Sequence, residues 1–160
     1  MKKQRKICNL LDAKLIVNKW KSFNETVVFT NGCFDVFHYG HLNLLYHSKK
    51  MGHKLVIGLN DDHSIQKLKG KERPIHNQEQ RVHMLSSLIF VDLIILFSDE
   101  TPIKIIKELM PSVLTKGADY SINEIVGKDE VIKSGGKVIL IPLIKGLSSS
   151  KIIKDISYGK

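Results

Sequence analysis

Five apolar runs of strand length recur along this chain, at Thr26 to Thr30, Lys54 to Leu59, Asp92 to Leu96, Ser112 to Thr115 and Lys137 to Ile141, with segments of helical pattern between them. Near-continuous apolar strands must be buried on both faces, and a helix between successive strands carries the chain back so that they pair in parallel. The alternation therefore predicts an α/β fold, a parallel sheet covered by helices on both sides. A further helix over Leu10 to Trp20, with Leu11, Leu15 and Ile16 near helical spacing, leads into the first strand through Lys21 to Glu25.

Local signals mark where the helices begin and end. Asn77 with Gln80 and Ser121 with Glu124 have capping-box spacing, and Thr101 before Pro102 sets a capping hydroxyl ahead of a proline at the first helical position. Gly52 closes one helix, and Gly135 with Gly136 closes another. No internal repeat or low-complexity linker divides the chain. We read residues 1–24 as a basic tail and leading helix, and residues 25–160 as a single α/β domain.

Length and composition set outer bounds. The chain has 160 residues, and 42% apolar content is enough for a real core. Its longest apolar runs fall far short of a membrane span, and the basic N-terminus lacks the apolar stretch of a signal peptide, so the expected location is the cytoplasm, with no membrane partner. Cys8 and Cys33 read as free thiols in a chain that needs no disulfide framework. The net charge of +9 suits either nucleic acid or phosphorylated metabolites. Much of it lies in the tail Lys2, Lys3, Arg5, Lys6 and in the segment Lys67, Lys69, Lys71, Arg73, without the aromatic interleaving that stacks bases, so no nucleic-acid partner is expected.

The segment Thr30-Asn31-Gly32-Cys33-Phe34-Asp35-Val36-Phe37-His38-Tyr39-Gly40-His41 joins the first long strand to a helix beginning near His41. This is the carboxyl edge of a parallel sheet, where open α/β folds bind ligands, and it meets a helix N-terminus, whose free N–H groups attract phosphate. Gly32 lets the backbone approach a ligand, and Gly40 keeps the space between two imidazoles clear. Cys33, His38 and His41 could be mistaken for a zinc site, but a fourth ligand is missing and no protein metal site is expected. His53, His63, His76 and His83 receive no role. Asp35 reads equally as a turn former or as a catalytic group, and the rings of Phe34 and Phe37 read as core anchors.

His38-Tyr39-Gly40-His41 resembles the HxGH signature of the cytidylyltransferase-like nucleotidyltransferases. Within them, the chain is most similar to the adenylyltransferase domains of ADP-heptose synthases. The resemblance runs in order from Phe29 to Ile153. It continues through Gly58 to Asp62, Leu68 to Pro74, Glu79-Gln80-Arg81, Val113 to Tyr120 and Pro142 to Ser150. It implies a single-domain, Rossmann-like fold of the HxGH nucleotidyltransferase type.

By this resemblance a phosphate oxygen of the acceptor attacks the α-phosphorus of a nucleoside triphosphate and pyrophosphate leaves, so alignment and charge stabilisation are the protein's work. His38, His41, Lys69 and Arg81 are the expected catalytic residues. Lys69, with Lys67 and Arg73, would lie on a mobile loop that closes over the phosphates, and Arg81 would approach from the following helix. Thr30, Asn31, Gly32, Phe34, Asp35 and Gly40 would border the ligand, as would Asn60 and Asp61, and Lys116, Gly117 and Asp119. Ser148, Ser149 and Ser150 would form a second helix N-terminal phosphate site. The family usually carries Ser-Thr-Thr there, and serines keep the hydroxyls.

The implied substrates are ATP and a sugar 1-phosphate, D-glycero-β-D-manno-heptose 1-phosphate, with Mg²⁺ bound through the triphosphate and ADP-heptose made for lipopolysaccharide or a related glycoconjugate. Glycerol-phosphate cytidylyltransferases place arginine after the proline ahead of the serine motif, where this chain has Leu143, which favours ATP over CTP. The alternatives are a cytidylyltransferase acting on a polyol phosphate such as glycerol 3-phosphate, and a non-catalytic nucleotide- or RNA-binding module. The synthases carry a sugar kinase domain for which 160 residues leave no room, so the kinase step is expected of a separate protein. Relatives commonly self-associate, and the apolar leading helix offers a surface for a homo-oligomer.

Overall fold

The computed structural model describes residues 6–157 and 159, so Lys2, Lys3 and Arg5 of the basic tail lie outside the described residues. Six strands, β1 (Ile7–Cys8), β2 (Val27–Gly32), β3 (Lys54–Asn60), β4 (Leu93–Phe97), β5 (Val113–Gly117) and β6 (Lys137–Ile141), form one parallel sheet in the order β1-β4-β3-β2-β5-β6. The seven described helices are α1 (Leu10–Ser22), α2 (Tyr39–Lys49), α3 (Asp62–Lys69), α4 (Gln78–Ser87), α5 (Ile103–Leu109), α6 (Lys128–Lys133) and α7 (Ser149–Ser157). The five long strands are those expected, each shifted by no more than two residues at an end. The two-residue β1 was not foreseen, because so short an edge strand carries no pattern of its own.

Side-chain alternation along the strands divides the core in two. Val27 and Phe29 of β2, Val56 of β3 and Leu93, Ile95 and Phe97 of β4 face Ala13 and Val17 of α1, Ile105, Ile106 and Leu109 of α5 and Val131 of α6. The alternate positions Val28, Leu55, Ile57, Leu59 and Ile94 face Leu45 of α2 and Val82 and Leu85 of α4. Helices thus cover both faces, and α1 packs Ala13 and Val17 into the core beside the sheet. None of the described helices is long and apolar enough to cross a membrane.

Strand order places the ligand crevice. From β2 the chain moves outward through β3 to β4, then crosses back to lay β5 on the other side of β2, so the loops after β2 and β5 diverge at the sheet's carboxyl edge. A buried hydroxyl chain ties that junction together. Ser48 Oγ of α2 lies 2.7 Å from Thr115 Oγ1, and Thr30 Oγ1 donates to the Thr115 carbonyl at 3.1 Å.

Three local expectations are corrected. Thr101 does not cap α5: Pro102 occupies the cap position, no side chain caps the helix, and Ile106 N–H bonds the Pro102 carbonyl. The Ser121–Glu124 spacing makes only a 3₁₀ turn over Ile122–Glu124, since Gly127, at φ +84°, packs against Ile106 and breaks the path into α6. Lys67 and Lys69 lie in the last turn of α3 rather than on a loop. That helix is capped by Asp61, whose carboxylate accepts from Ser64 N–H at 2.7 Å, and its basic last turn complements the helix dipole. The Asn77–Gln80 capping box is present in full at the start of α4.

Candidate active site

The loop from Cys33 to Phe37 carries two non-glycine residues in the left-handed region, Phe34 at φ 49° and β-branched Val36 at φ 49°. Each such residue costs on the order of 1–3 kcal/mol, so the surroundings must hold the loop in place. Asp35, between them and 1% exposed, supplies the hold. Its Oδ1 accepts from Val36 N–H at 3.0 Å and His76 N–H at 2.9 Å, and its Oδ2 from Ile75 N–H at 3.0 Å and Arg73 Nε at 2.7 Å. Ser149 Oγ donates to the Asp35 backbone carbonyl at 2.6 Å. Burial alone would raise the Asp35 pKa, but the His76 and Ile75 amides and Arg73 outweigh it and hold the carboxyl below its ordinary value. Of the two readings open for Asp35, this geometry is that of a loop-forming group, and it also occupies Arg73.

The loop delivers the two histidines to the start of α2. His38 is the N-cap residue, and its Nδ1 accepts from Gly40 N–H at 3.1 Å. A nitrogen that accepts carries no proton, so neutral His38 bears its hydrogen on Nε2 as a donor. A β-carbon on Gly40 would stand 2.9 Å from His38 Cε1, which is why that position takes glycine. His41, one helical turn on, stacks on His38 with centroids 3.8 Å apart and lies between Phe34 and Phe37 at 5.3 and 5.6 Å. Burial, reinforced by His38 and Lys69, lowers its pKa to about 3, and burial lowers that of His38 as well. Both imidazoles are therefore neutral donors near neutral pH. His41 Nδ1 is buried without a hydrogen-bond partner.

A cavity of about 610 Å³ opens above this pair. Of the expected site residues, Asn31, Gly32, Phe34, Asp35, His38, Gly40, His41, Asn60, Lys69, Lys116, Gly117, Asp119, Ser148, Ser149 and Ser150 line it. The α7 N-terminus forms a second wall, where Ser148 Oγ accepts from Lys151 N–H at 3.2 Å. Lys116, at the end of β5, bridges the junction by donating from Nζ to the Asn31 carbonyl at 3.1 Å, and sits 5.1 Å from the Tyr120 ring centroid. Burial lowers its pKa to about 8. Gly117 is hemmed in: a β-carbon would meet Asp119 Oδ1 at 2.6 Å and Leu143 Cδ2 at 2.8 Å.

Thr30, Asp61 and Arg81 do not line the cavity. Thr30 is spent on the hydroxyl chain beneath it, and Asp61 on capping α3. Arg81 is fully buried, and its guanidinium donates to the carbonyls of Cys33 at 2.8 Å, Asn60 at 2.7 Å and His76 at 3.0 Å, and to Asp62 Oδ1 at 2.7 Å. It therefore knits the β2 and β3 loops together beneath the cavity instead of reaching into it. Glu100, Thr101, Pro102, Tyr120, Val126, Ile144 and Leu147 also line the cavity without having been expected as site residues. The first three follow β4 at the same carboxyl edge, so strand order would have flagged them where motif spacing did not. Among the described residues, no group of three or more His, Cys, Asp and Glu side chains is placed to hold a metal ion.

Comparison with known proteins agrees with the fold. The cytidylyltransferase-like family model matches residues 29–155. The chain is 44% identical over 155 residues to the bifunctional protein HldE of Magnetococcus marinus, covering 97% of this chain and 32% of that protein. It is 44% identical over 142 residues to the bifunctional protein HldE of Coxiella burnetii, covering 89% and 30%. The chain thus spans about a third of the length of these curated relatives. Among solved structures, a lipopolysaccharide core biosynthesis protein from Thermoplasma volcanium superposes with a TM-score of 0.61 at 31% identity, over 76% of this chain and 98% of that one. Pantoate-β-alanine ligase from Francisella tularensis, solved with β,γ-ATP and β-alanine, gives 0.67 at 15% identity over 96% and 76%, a likeness of fold alone.

Proposed function

The chain belongs to the cytidylyltransferase-like family and is a nucleotidyltransferase, and from that premise we propose that it transfers the adenylyl group of ATP to D-glycero-β-D-manno-heptose 1-phosphate, giving ADP-heptose and pyrophosphate. The product would serve lipopolysaccharide or related glycoconjugate synthesis. The observation that carries the reading is the convergence of two helix N-termini and a neutral, stacked histidine pair on one cavity.

A phosphate oxygen of the sugar attacks the α-phosphorus, a new O–P bond forms, and the bond to the β-phosphate oxygen breaks as pyrophosphate departs. No covalent nucleophile is needed. His38 Nε2–H donates to the phosphate oxygens that gain charge, and its Nδ1 bond to Gly40 fixes both tautomer and ring orientation. His41 stands beside it as a second donor. The free N–H groups of α2 and α7 face the same charge, with Lys69 and Lys116 as cationic partners. Arg81 and the Asp35–Arg73 pair act at one remove, holding the loops in position.

Mg²⁺ fits this donor set as a passenger of the triphosphate. The Asp35 carboxylate is taken up by its amides and Arg73, so the ion would be held chiefly by phosphate oxygens, whose charge it neutralises. Leu143 on the cavity wall, where the glycerol-phosphate enzymes have arginine, supports adenine over cytosine.

The test is pyrophosphate release by the purified chain with Mg²⁺ and the heptose 1-phosphate, with ATP and CTP in separate reactions. Release with ATP is expected. Release with CTP alone would overturn the choice of base, and silence with both nucleotides would overturn the acceptor.

A further inference from the structure

The phosphate-binding groups occupy only part of the cavity. His38 and His41 follow β2, Lys69 ends the helix after β3, Lys116 ends β5, and Ser148 to Ser150 follow β6. The cavity is also lined by Glu100 and Thr101, on the segment that joins β4 to α5.

The chemistry of this segment differs from the rest. Glu100 is an exposed carboxylate on the wall of a cavity otherwise equipped to attract phosphates, and it forms no ion pair with a described residue. A carboxylate repels phosphate and accepts hydrogen bonds from hydroxyls, so what faces it is the uncharged, hydroxyl-bearing end of a ligand. Thr101 has the sequence position of a helix cap but makes no cap bond to α5, which leaves its hydroxyl available to the cavity. Pro102, buried beside them, and Val126 close the wall with apolar surface suited to the C–H face of a sugar.

We propose that Glu100 and Thr101 form the hydroxyl-recognising subsite for the acceptor sugar and set the preference for a long sugar phosphate over a short polyol phosphate. The inference rests on the adenylyltransferase reading above and names the part of the site that reads the acceptor. A three-carbon acceptor such as glycerol 3-phosphate carries fewer hydroxyls for these residues to read and gains less from them.

The experiment is steady-state pyrophosphate release by the full chain and by Glu100→Gln and Thr101→Val, with ATP and each of three acceptors: the heptose 1-phosphate, mannose 1-phosphate and glycerol 3-phosphate. Glu100→Gln keeps the shape of the side chain at an exposed position, and Thr101→Val removes only a hydroxyl, so both variants are expected to fold. Glu100→Gln is expected to raise KM for the heptose 1-phosphate by roughly 10- to 100-fold, the loss typical of a hydrogen bond to a charged group. Its KM for ATP should stay within about twofold of wild type, and the wild-type advantage of the sugar phosphates over glycerol 3-phosphate should shrink. Wild-type acceptor KM in both variants overturns the inference while leaving the activity standing. So does a rise in ATP KM alone, which gives this wall to the nucleotide. A wild-type chain silent with every acceptor overturns the functional reading, and this inference with it.

Discussion

His38 Nδ1 accepts the Gly40 amide hydrogen at 3.1 Å, so the residue that caps α2 also offers its Nε2 hydrogen to the cavity. Capping and phosphate contact use opposite edges of one ring, and a substitution can separate them. Asparagine is among the best N-cap residues but is too short to replace Nε2. His38→Asn is therefore expected to keep the thermal midpoint within a few degrees and to lower kcat by about 100-fold or more, as loss of a transition-state donor does. Near-normal turnover in a folded variant would show that the imidazole serves only the cap.

His41 makes a prediction about acid. Its pKa falls from 6.5 to about 3 in the fold, chiefly through burial, so below 6.5 the unfolded chain takes up a proton that the native state refuses. The sign is fixed by linkage: this group's contribution is complete above 6.5 and is lost progressively as pH falls toward 3. Denaturant titrations at pH 7 and pH 4 should show wild type losing on the order of 2 kcal/mol more than His41→Gln over that interval. Parallel losses in the two proteins would place the acid sensitivity elsewhere.

The reach of sequence reasoning can be traced through these same residues. The strands were legible because burial on both faces demands unbroken apolar runs, and the histidine loop because its glycines and imidazoles stand at fixed spacing. Hidden from the sequence were relationships that depend on where loops meet. Nothing in the spacing of Asp35, Arg73 and Ile75 shows that one carboxylate gathers two loops, or that Ser149 bonds the same residue's carbonyl 114 positions away. Glu100 was passed over, and Thr101 was read only as a helix cap, because a residue after a strand end gains meaning only once strand order is known. Arg81 shows the converse, a motif position whose presence was legible while its direction was not.

For Arg81, contact with the triphosphate and service as an internal brace predict opposite results. Its guanidinium is fully buried on three carbonyls and Asp62, so Arg81→Ala strands those acceptors without partners. Removing one partner of such a buried set typically costs about 3–5 kcal/mol. Chemical denaturation is expected to show a loss of that size, with Asp62→Asn costing less because Asp62 is partly solvated. Wild-type stability combined with a raised KM for ATP would return Arg81 to the phosphates.

Lys116 is a cation kept in the fold at a cost to stability. Burial lowers its pKa from 10.5 to about 8, and its Nζ has a backbone carbonyl and an aromatic ring for company. Such a shift corresponds to roughly 3 kcal/mol of penalty on the charged form at neutral pH. Between about 8 and 10.5 the unfolded chain holds a proton that the folded chain has released, so this group alone makes the fold more stable as pH rises through that window. Lys116→Met, similar in volume and uncharged, should therefore raise the thermal midpoint at pH 7 while severely weakening nucleotidyl transfer, because the cavity loses a cation facing phosphate. Wild-type activity should decline above pH 8 as Lys116 loses its charge, with the change appearing first in KM. A less stable Lys116→Met, or a flat pH profile through 9, would mean that the ammonium is better satisfied in the protein than its surroundings indicate.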